Sequence, residues 1–377
     1  MTTTPTHAAV VTVAPRAALE VIQVPTISPA KGEVRVRVGW TASTPLDLHQ
    51  ADGGLLVEHP QVLGDGLAGT VVEVGEGVKK LAVGDEVFGF VWRSQKEKAH
   101  QVYTTAPENF FGKIPNGIPP EAAVTLPNNF VTAYHTIVTD LQLPLPWPRP
   151  DDHQPEHADS AILIWGGSSS VGQYALQILK YFGYRHLLTT ASKKHHDLLK
   201  SFGATRCFDY RDPNVTKSIL HSIPNTEKGK AKVPFILDCI GSKEGSVAPL
   251  AQLAQRGTRV AILLPVIIRD ATEDGPAPEY TFDVQSSADW ADGVDVVGVR
   301  THFYTDNSFH AEHLQPSIMP AMLGRGIVKP NRQRIVEGAK MLDRAQRALD
   351  TLRRKENANN AFLFLFLLTA KGEACVC

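Results

Sequence analysis

Seven residues, Gly166-Gly-Ser-Ser-Ser-Val-Gly172, join a short apolar run to a helical pattern. The run before them, Ala161-Ile-Leu-Ile-Trp165, is unbroken and apolar, as in a buried strand. After them Val171, Tyr174, Ala175, Ile178, Leu179 and Phe182 recur at the spacing of one helix face, and Gly183 can end the helix. Strand, glycine-bearing turn and helix N-terminus in that order make an anion site. Small residues let the backbone approach the ligand, while amide N–H groups and the helix dipole face the charge. The ligand implied is a pyrophosphate, held by Ser168, Ser169, Ser170, Val171 and Gly172. The spacing is a variant, because only Gly166, Gly167 and Gly172 stand where a G-x-G-x-x-G pattern would be sought.

Leu187-Leu-Thr-Thr-Ala191 reads as a second buried strand, ending about where a dinucleotide fold meets the adenosine ribose. A site for NADH usually places Asp or Glu there, on the ribose 2′-hydroxyl. This chain places Ser192, Lys193, Lys194 and His195. Two ammonium groups and a hydroxyl suit a 2′-phosphate, so the expected cofactor is NADPH. The plainer use of the segment is a Ser N-cap followed by two solvated lysines.

Composition sets the frame for these residues. The chain has 377 residues, 43% hydrophobic and 20% charged, enough for two domains with a large core. A formal charge of −1 gives no global case for nucleic acid or an anionic membrane as partner. Of the four cysteines, Cys207 and Cys239 fall in expected strands and Cys375 and Cys377 near the C-terminus, spacings that suggest neither disulfides nor zinc. A reducing, cytoplasmic setting is the expectation. Phe362-Leu-Phe-Leu-Phe-Leu-Leu368 is very apolar but too short to span a bilayer, and reads as a buried terminal strand.

Along the chain, Glu33-Val-Arg-Val-Arg-Val38 alternates as a half-buried strand does. Gly69–Val74 and a turn at Val83-Gly-Asp-Glu continue a β-rich first region of about 115 residues. Five prolines between Leu141 and Asp159 mark a surface loop. Strands and helices then alternate: 207–210, 235–240, 258–264 and 294–299 are expected strands of a doubly wound parallel sheet. Glu337–Lys355 is an expected helix with Ala339, Leu342, Ala345, Leu349 and Leu352 inward, and Arg353-Arg-Lys355 as a solvated end. The domains read as residues 1–140, 141–302 and a return segment, 303–377.

Leu63-Gly-Asp-Gly-Leu-Ala-Gly69, Val74–Val78, Val83-Gly-Asp-Glu-Val-Phe-Gly89, Ala122–Leu126 and Val131-Thr-Ala-Tyr134 resemble signatures of the medium-chain dehydrogenase/reductase superfamily over most of residues 8–355. Trp165–Gly172 and Gly326–Pro330 look most like its fungal enoyl-reductase-like branch, which is related to quinone oxidoreductases. The resemblance implies an α/β architecture, a Rossmann domain beside a GroES-like catalytic domain. Zinc-dependent members bind metal through an early Cys, a Gly-His-Glu segment and a later Cys or Asp. Here the matching stretches read Thr41–His49, without Cys, and Gly64-Asp65-Gly66, so both metal sites are expected to be missing.

Without a Lewis acid, hydride can still be delivered to a carbon already activated by a conjugated carbonyl, if the protein stabilises the oxygen and supplies a proton. The resemblance implies His49 where relatives place a lysine near the nicotinamide, as hydrogen-bond donor or proton relay. It implies Thr132 as a hydrogen-bonding group near the nicotinamide, Tyr210 at the adenine end, and Leu263 and Leu264 against the nicotinamide amide. His49 and Thr132 also have plain uses, on the cofactor ribose and on the helix backbone. Asp47 and Asp65 can cap turns, and Tyr134 reads as core. The function expected is an NADPH-dependent, zinc-independent reductase of an enone or enoyl thioester, on a free or carrier-bound substrate, with a polyketide synthase as implied partner. An NADPH quinone reductase and a non-catalytic NADPH-binding protein are the alternatives. The chain is expected to be a monomer or homodimer.

Overall fold

The computed structural model describes residues 5–224 and 229–355, and the backbone of 362–367. The chain forms two compact units: Met1–Asn128 with Ala271–Pro278 and Thr305–Cys377, and Asn129–Asp270 with Glu279–Tyr304.

The second unit is built on six parallel strands: β1 (Ala161–Trp165), β2 (His186–Thr190), β3 (Arg206–Phe208), β4 (Phe235–Asp238), β5 (Arg259–Leu263) and β6 (Asp295–Val299). Their spatial order is β3-β2-β1-β4-β5-β6, and every neighbouring pair is parallel. All five residues of β1 are buried, as a central strand covered on both faces requires. The strand order reverses between β1 and β4, which opens a crevice at the carboxyl ends of the strands. The helix Ser170–Phe182 buries the expected apolar stripe and ends at Gly183, whose φ of +95° an L side chain would resist. β3 is shorter than the expected 207–210, because Tyr210 already belongs to the turn after it.

The first unit centres on Glu33–Ser43, an 11-residue strand whose Val34, Val36 and Val38 are fully buried. It pairs antiparallel with Gly66–Val74, Tyr103–Pro107 and Phe362–Leu367. The terminal apolar run is thus a strand: Phe364 to Leu367 register against Ser43 to Trp40, and Phe362 to Leu365 run parallel to Arg332–Ile335. The segments 357–360 and 371–377, with Cys375 and Cys377, lie outside the described residues. Among the described residues no helix is long and apolar enough to cross a membrane.

The charged helix runs Met341–Arg353, so Ala339 precedes it and is exposed, while Ala345, Ala348, Leu349 and Leu352 are buried. The expectation that residues 353–355 are a solvated end is corrected at Arg353. Its Nε and Nη2 donate to the Asp52 carboxylate at 2.9 and 2.6 Å, and the two side chains are only 13% and 1% exposed. The partner lies 301 residues away, which no local pattern reveals. Removing one member of a buried pair strands the other charge. Arg353→Met should therefore lower the unfolding free energy in urea by about 3 kcal/mol. A change under about 0.5 kcal/mol, the size of a surface substitution, would show that Asp52 is not held by this contact.

Candidate active site

The carboxyl edge of the parallel sheet collects most of the residues picked out above. After Trp165 the chain turns through Gly166 at φ +84°, and Gly166 N–H donates to the Thr190 hydroxyl at 3.0 Å. Gly167 N–H donates to the Thr190 carbonyl at 3.0 Å, so the turn is fastened to the end of β2. Ser169 is the N-cap: its hydroxyl accepts from Gly172 N–H at 3.1 Å. Gln173 Nε2 donates to the Ser168 carbonyl at 2.9 Å and holds the turn from the helix side. A Cβ on Gly172 would stand 2.7 Å from the Gly166 carbonyl oxygen, so only glycine lets strand and helix close this tightly. Ser168, Ser169 and Ser170 are half-buried at the opening, and Val171 and Gly172 are buried. The cradle fits a pyrophosphate.

At the end of β2, Lys193 and Lys194 are exposed and Ser192 is half-buried. Tyr210, 47% exposed, lies just past β3. Beside it is a residue the sequence reading missed. The Arg211 guanidinium sits 5.7 Å from the Tyr210 ring centre and pairs with both oxygens of Asp209 at 2.9 and 2.8 Å. That hydrogen-bonded pairing holds the Asp209 carboxyl down at about 2, and Lys193 adds to the effect. Lys193, Lys200, Asp209 and Arg211 help line a cavity of about 770 Å³ over β3. Its adjacency to Tyr210 was the signal that could have identified Arg211.

Asp238, the last residue of β4, organises the turn that follows. Burial pushes its carboxyl up to about 6, although it accepts from Ile240 N–H at 2.9 Å and from the Ser246 hydroxyl at 2.7 Å. Burial also pushes the neighbouring Cys239 thiol up, away from the reactive thiolate. Leu263, the last residue of β5, and Leu264 just after it are half-buried. Thr132 is half-buried on the helix Pro127–His135, and its hydroxyl is hydrogen-bonded to that of Thr301 at 3.1 Å. Tyr134 is core: fully buried, with its O–H donating to the Leu145 carbonyl at 2.9 Å.

His49 belongs to the first unit, half-buried on the helix Pro45–Gly53. Asp47, on the same helix, is a cap as the plainer reading held. It accepts from Thr44 N–H at 2.8 Å and from Gly64 N–H at 2.9 Å, and burial pushes its carboxyl up to about 6. Asp65 accepts from Asn128 Nδ2 at 3.2 Å, and burial together with the Asp47 charge pushes it up to about 7. His100, also buried, is pushed down to about 3 by burial and by Lys98. Among the described residues no three His, Cys, Asp or Glu side chains converge as a metal would require, and Asp47 is committed to backbone amides.

Comparison with known proteins places this geometry. Residues 30–134 match the alcohol dehydrogenase GroES-like domain, and residues 170–265 match the zinc-binding dehydrogenase domain. The enoyl reductase component lovC of lovastatin nonaketide synthase, from Aspergillus terreus, is 31% identical over 255 residues, covering 67% of this chain and 68% of that protein. The chain belongs to the medium-chain dehydrogenase/reductase superfamily. A trans-enoyl reductase, himH from Aspergillus japonicus, is 32% identical over 241 residues, 62% of this chain and 66% of the relative, so the match spans just under two thirds of its length. The CurK enoyl reductase structure superposes with a TM-score of 0.70 at 16% identity, over 96% of this chain and 99% of that one, and shows the shared fold.

The two buried acids generate a pH prediction. Unfolded, Asp65 releases its proton near pH 4; folded, near 7. Between those values the folded chain holds more protons, so this group's contribution to stability falls as pH rises, and the loss is complete above 7. Asp65→Asn keeps the oxygen that Asn128 bonds and removes the charge. Its stability relative to the unsubstituted chain should rise from pH 4 to pH 8 by roughly 2–4 kcal/mol. Urea curves that differ by the same amount at both pH values would contradict the assignment.

Proposed function

We propose that this chain is an NADPH-dependent reductase that transfers hydride to an activated C=C, an enone or enoyl thioester, without a metal. The observation that carries the reading is the carboxyl edge of the parallel sheet. It gathers the Gly166–Gly172 turn, Lys193, Lys194 and Tyr210 at one end, and Leu263, Leu264 and the Thr132–Thr301 pair at the other. Relatives named trans-enoyl reductases support the choice of acceptor.

Bound NADPH supplies the hydride. The chain's own residues do the rest. Ser168, Ser169, Ser170, Val171 and Gly172 hold the pyrophosphate against the helix N-terminus. Ser192, Lys193 and Lys194 bind the 2′-phosphate, and Tyr210 packs at the adenine. Leu263 and Leu264 present apolar surface and backbone at the nicotinamide amide. Thr132 donates to the acceptor's carbonyl oxygen, where charge gathers as hydride arrives at the β-carbon. His49 donates the proton that completes the reduction, taking another from solvent before the next turnover. A thioester acceptor can be delivered on a carrier, and the relatives named trans-enoyl reductase and synthase enoyl reductase component favour a polyketide synthase as the partner class.

Titration with NADPH and NADH, followed by absorbance loss with a panel of enones, enoyl thioesters and quinones, tests both halves. The expected result is tighter binding of NADPH and steady oxidation by an enone or thioester. Lys193→Ala/Lys194→Ala should weaken NADPH about 100-fold, roughly tenfold per charge-assisted contact, and leave NADH within about twofold. Equal losses for both cofactors would remove the 2′-phosphate site. Turnover with quinones alone would make the chain a quinone reductase, and tight NADPH binding without turnover would make it a binding protein.

A further inference from the structure

We propose that Arg211 is a specificity residue for the phosphorylated cofactor, a guanidinium held side-on by Asp209 so that its remaining N–H fork meets the 2′-phosphate. The inference rests on the NADPH reading above and adds to it a residue from the neighbouring strand end.

Three observations within the second unit meet at this side chain. The first is register. Thr190, the last residue of β2, stands opposite Phe208, the last residue of β3. Ala191 N–H continues the pairing by donating to the Phe208 carbonyl at 2.9 Å. Lys193 and Arg211 each lie three residues beyond those partners, so both cations leave the same carboxyl edge of the sheet. The second is the cavity of about 770 Å³, which Lys193, Asp209 and Arg211 help line together. The third is the way Arg211 is held. Asp209, whose side chain is 12% exposed, accepts from the Arg211 backbone N–H at 3.1 Å, from Nε at 2.9 Å and from Nη2 at 2.8 Å.

The grip has a chemical consequence. A guanidinium carries five N–H donors in a fixed plane. Asp209 takes one from Nε and one from Nη2, and Nη1 has no hydrogen-bond partner among the described residues. The end of the plane, with one N–H on each Nη, therefore remains for a second oxyanion, in the two-point geometry that phosphate accepts. The Arg211 side chain is 60% exposed, so a ligand can reach that end while Asp209 keeps the other. Hydrogen bonding from Arg211 holds the Asp209 carboxyl down at about 2, so the pair persists across the neutral range. Because Asp209 offsets the charge of Arg211, the bulk attraction stays with the lysines, and Arg211 contributes aimed donors. The 2′-hydroxyl of NADH offers that fork no oxyanion.

The test is calorimetric titration of the full chain with NADPH and with NADH, a readout that needs no turnover. Arg211→Ala should weaken NADPH about tenfold, the worth of roughly one charge-assisted contact, and leave NADH within about twofold. Arg211→Lys keeps the charge and loses the fork, so it should recover only about threefold of that loss. Three results would overturn the proposal while leaving the cofactor reading intact, provided the unsubstituted chain prefers NADPH. They are unchanged NADPH affinity in Arg211→Ala, equal losses for both cofactors, and full recovery in Arg211→Lys. If the unsubstituted chain binds both cofactors equally, the NADPH reading itself fails, and the proposal falls with it.

Discussion

The second unit depends on one closure: the chain must leave a fully buried strand and enter a helix within a few residues, without stranding its backbone polar groups. Trp165 ends β1, Gly166 takes a positive φ, and the Thr190 hydroxyl and carbonyl accept the Gly166 and Gly167 amides. The Ser169 hydroxyl then caps the helix through Gly172 N–H. Each step satisfies a group that burial would otherwise penalise. The arrangement also aims the first helical turn outward at the place where the strand order reverses. An anion site at such a turn is a by-product of solving the backbone problem, for which side chains as plain as serine and valine suffice.

Much of that unit was legible because its cause is local. A strand covered on both faces must be largely apolar, so β1 announces itself as a short unbroken run, and β4 and β5 as runs that are polar only at one end. The helix after β1 shows its stripe, and Gly183 its end. What escaped was set by distance along the chain. Arg353 looks like any helix-terminal cation until Asp52, buried and 301 residues away, is seen to need it. Thr301 follows β6 with no motif around it, and only the fold carries it to Thr132. Arg211 is the intermediate case, next to a residue that was singled out and therefore within reach of the argument.

The first unit repeats the lesson with buried acids. Asp47 was readable as a cap because a carboxylate at the third position of a helix has amides to accept. Asp65 was not readable in the same way. Its state follows first from burial, then from the neighbouring Asp47, from Lys98 and from its contact with Asn128, none of which its own segment reveals. Two carboxylates buried together cannot both ionise cheaply. The first unit therefore keeps a proton near neutral pH at the segment where zinc-dependent relatives would keep a metal ligand.

These features bear jointly on how the reaction would be divided between residues. A metal both binds the substrate oxygen and lowers the energy of the charge that collects on it. Where the donor set does not fit a metal, the two tasks pass to neutral hydrogen-bond donors, which are individually weaker and so gain more from being held in place. On this view, the plainness of the polar groups around the sheet edge is itself the chemical adaptation, suited to an acceptor whose conjugated carbonyl already draws the electrons.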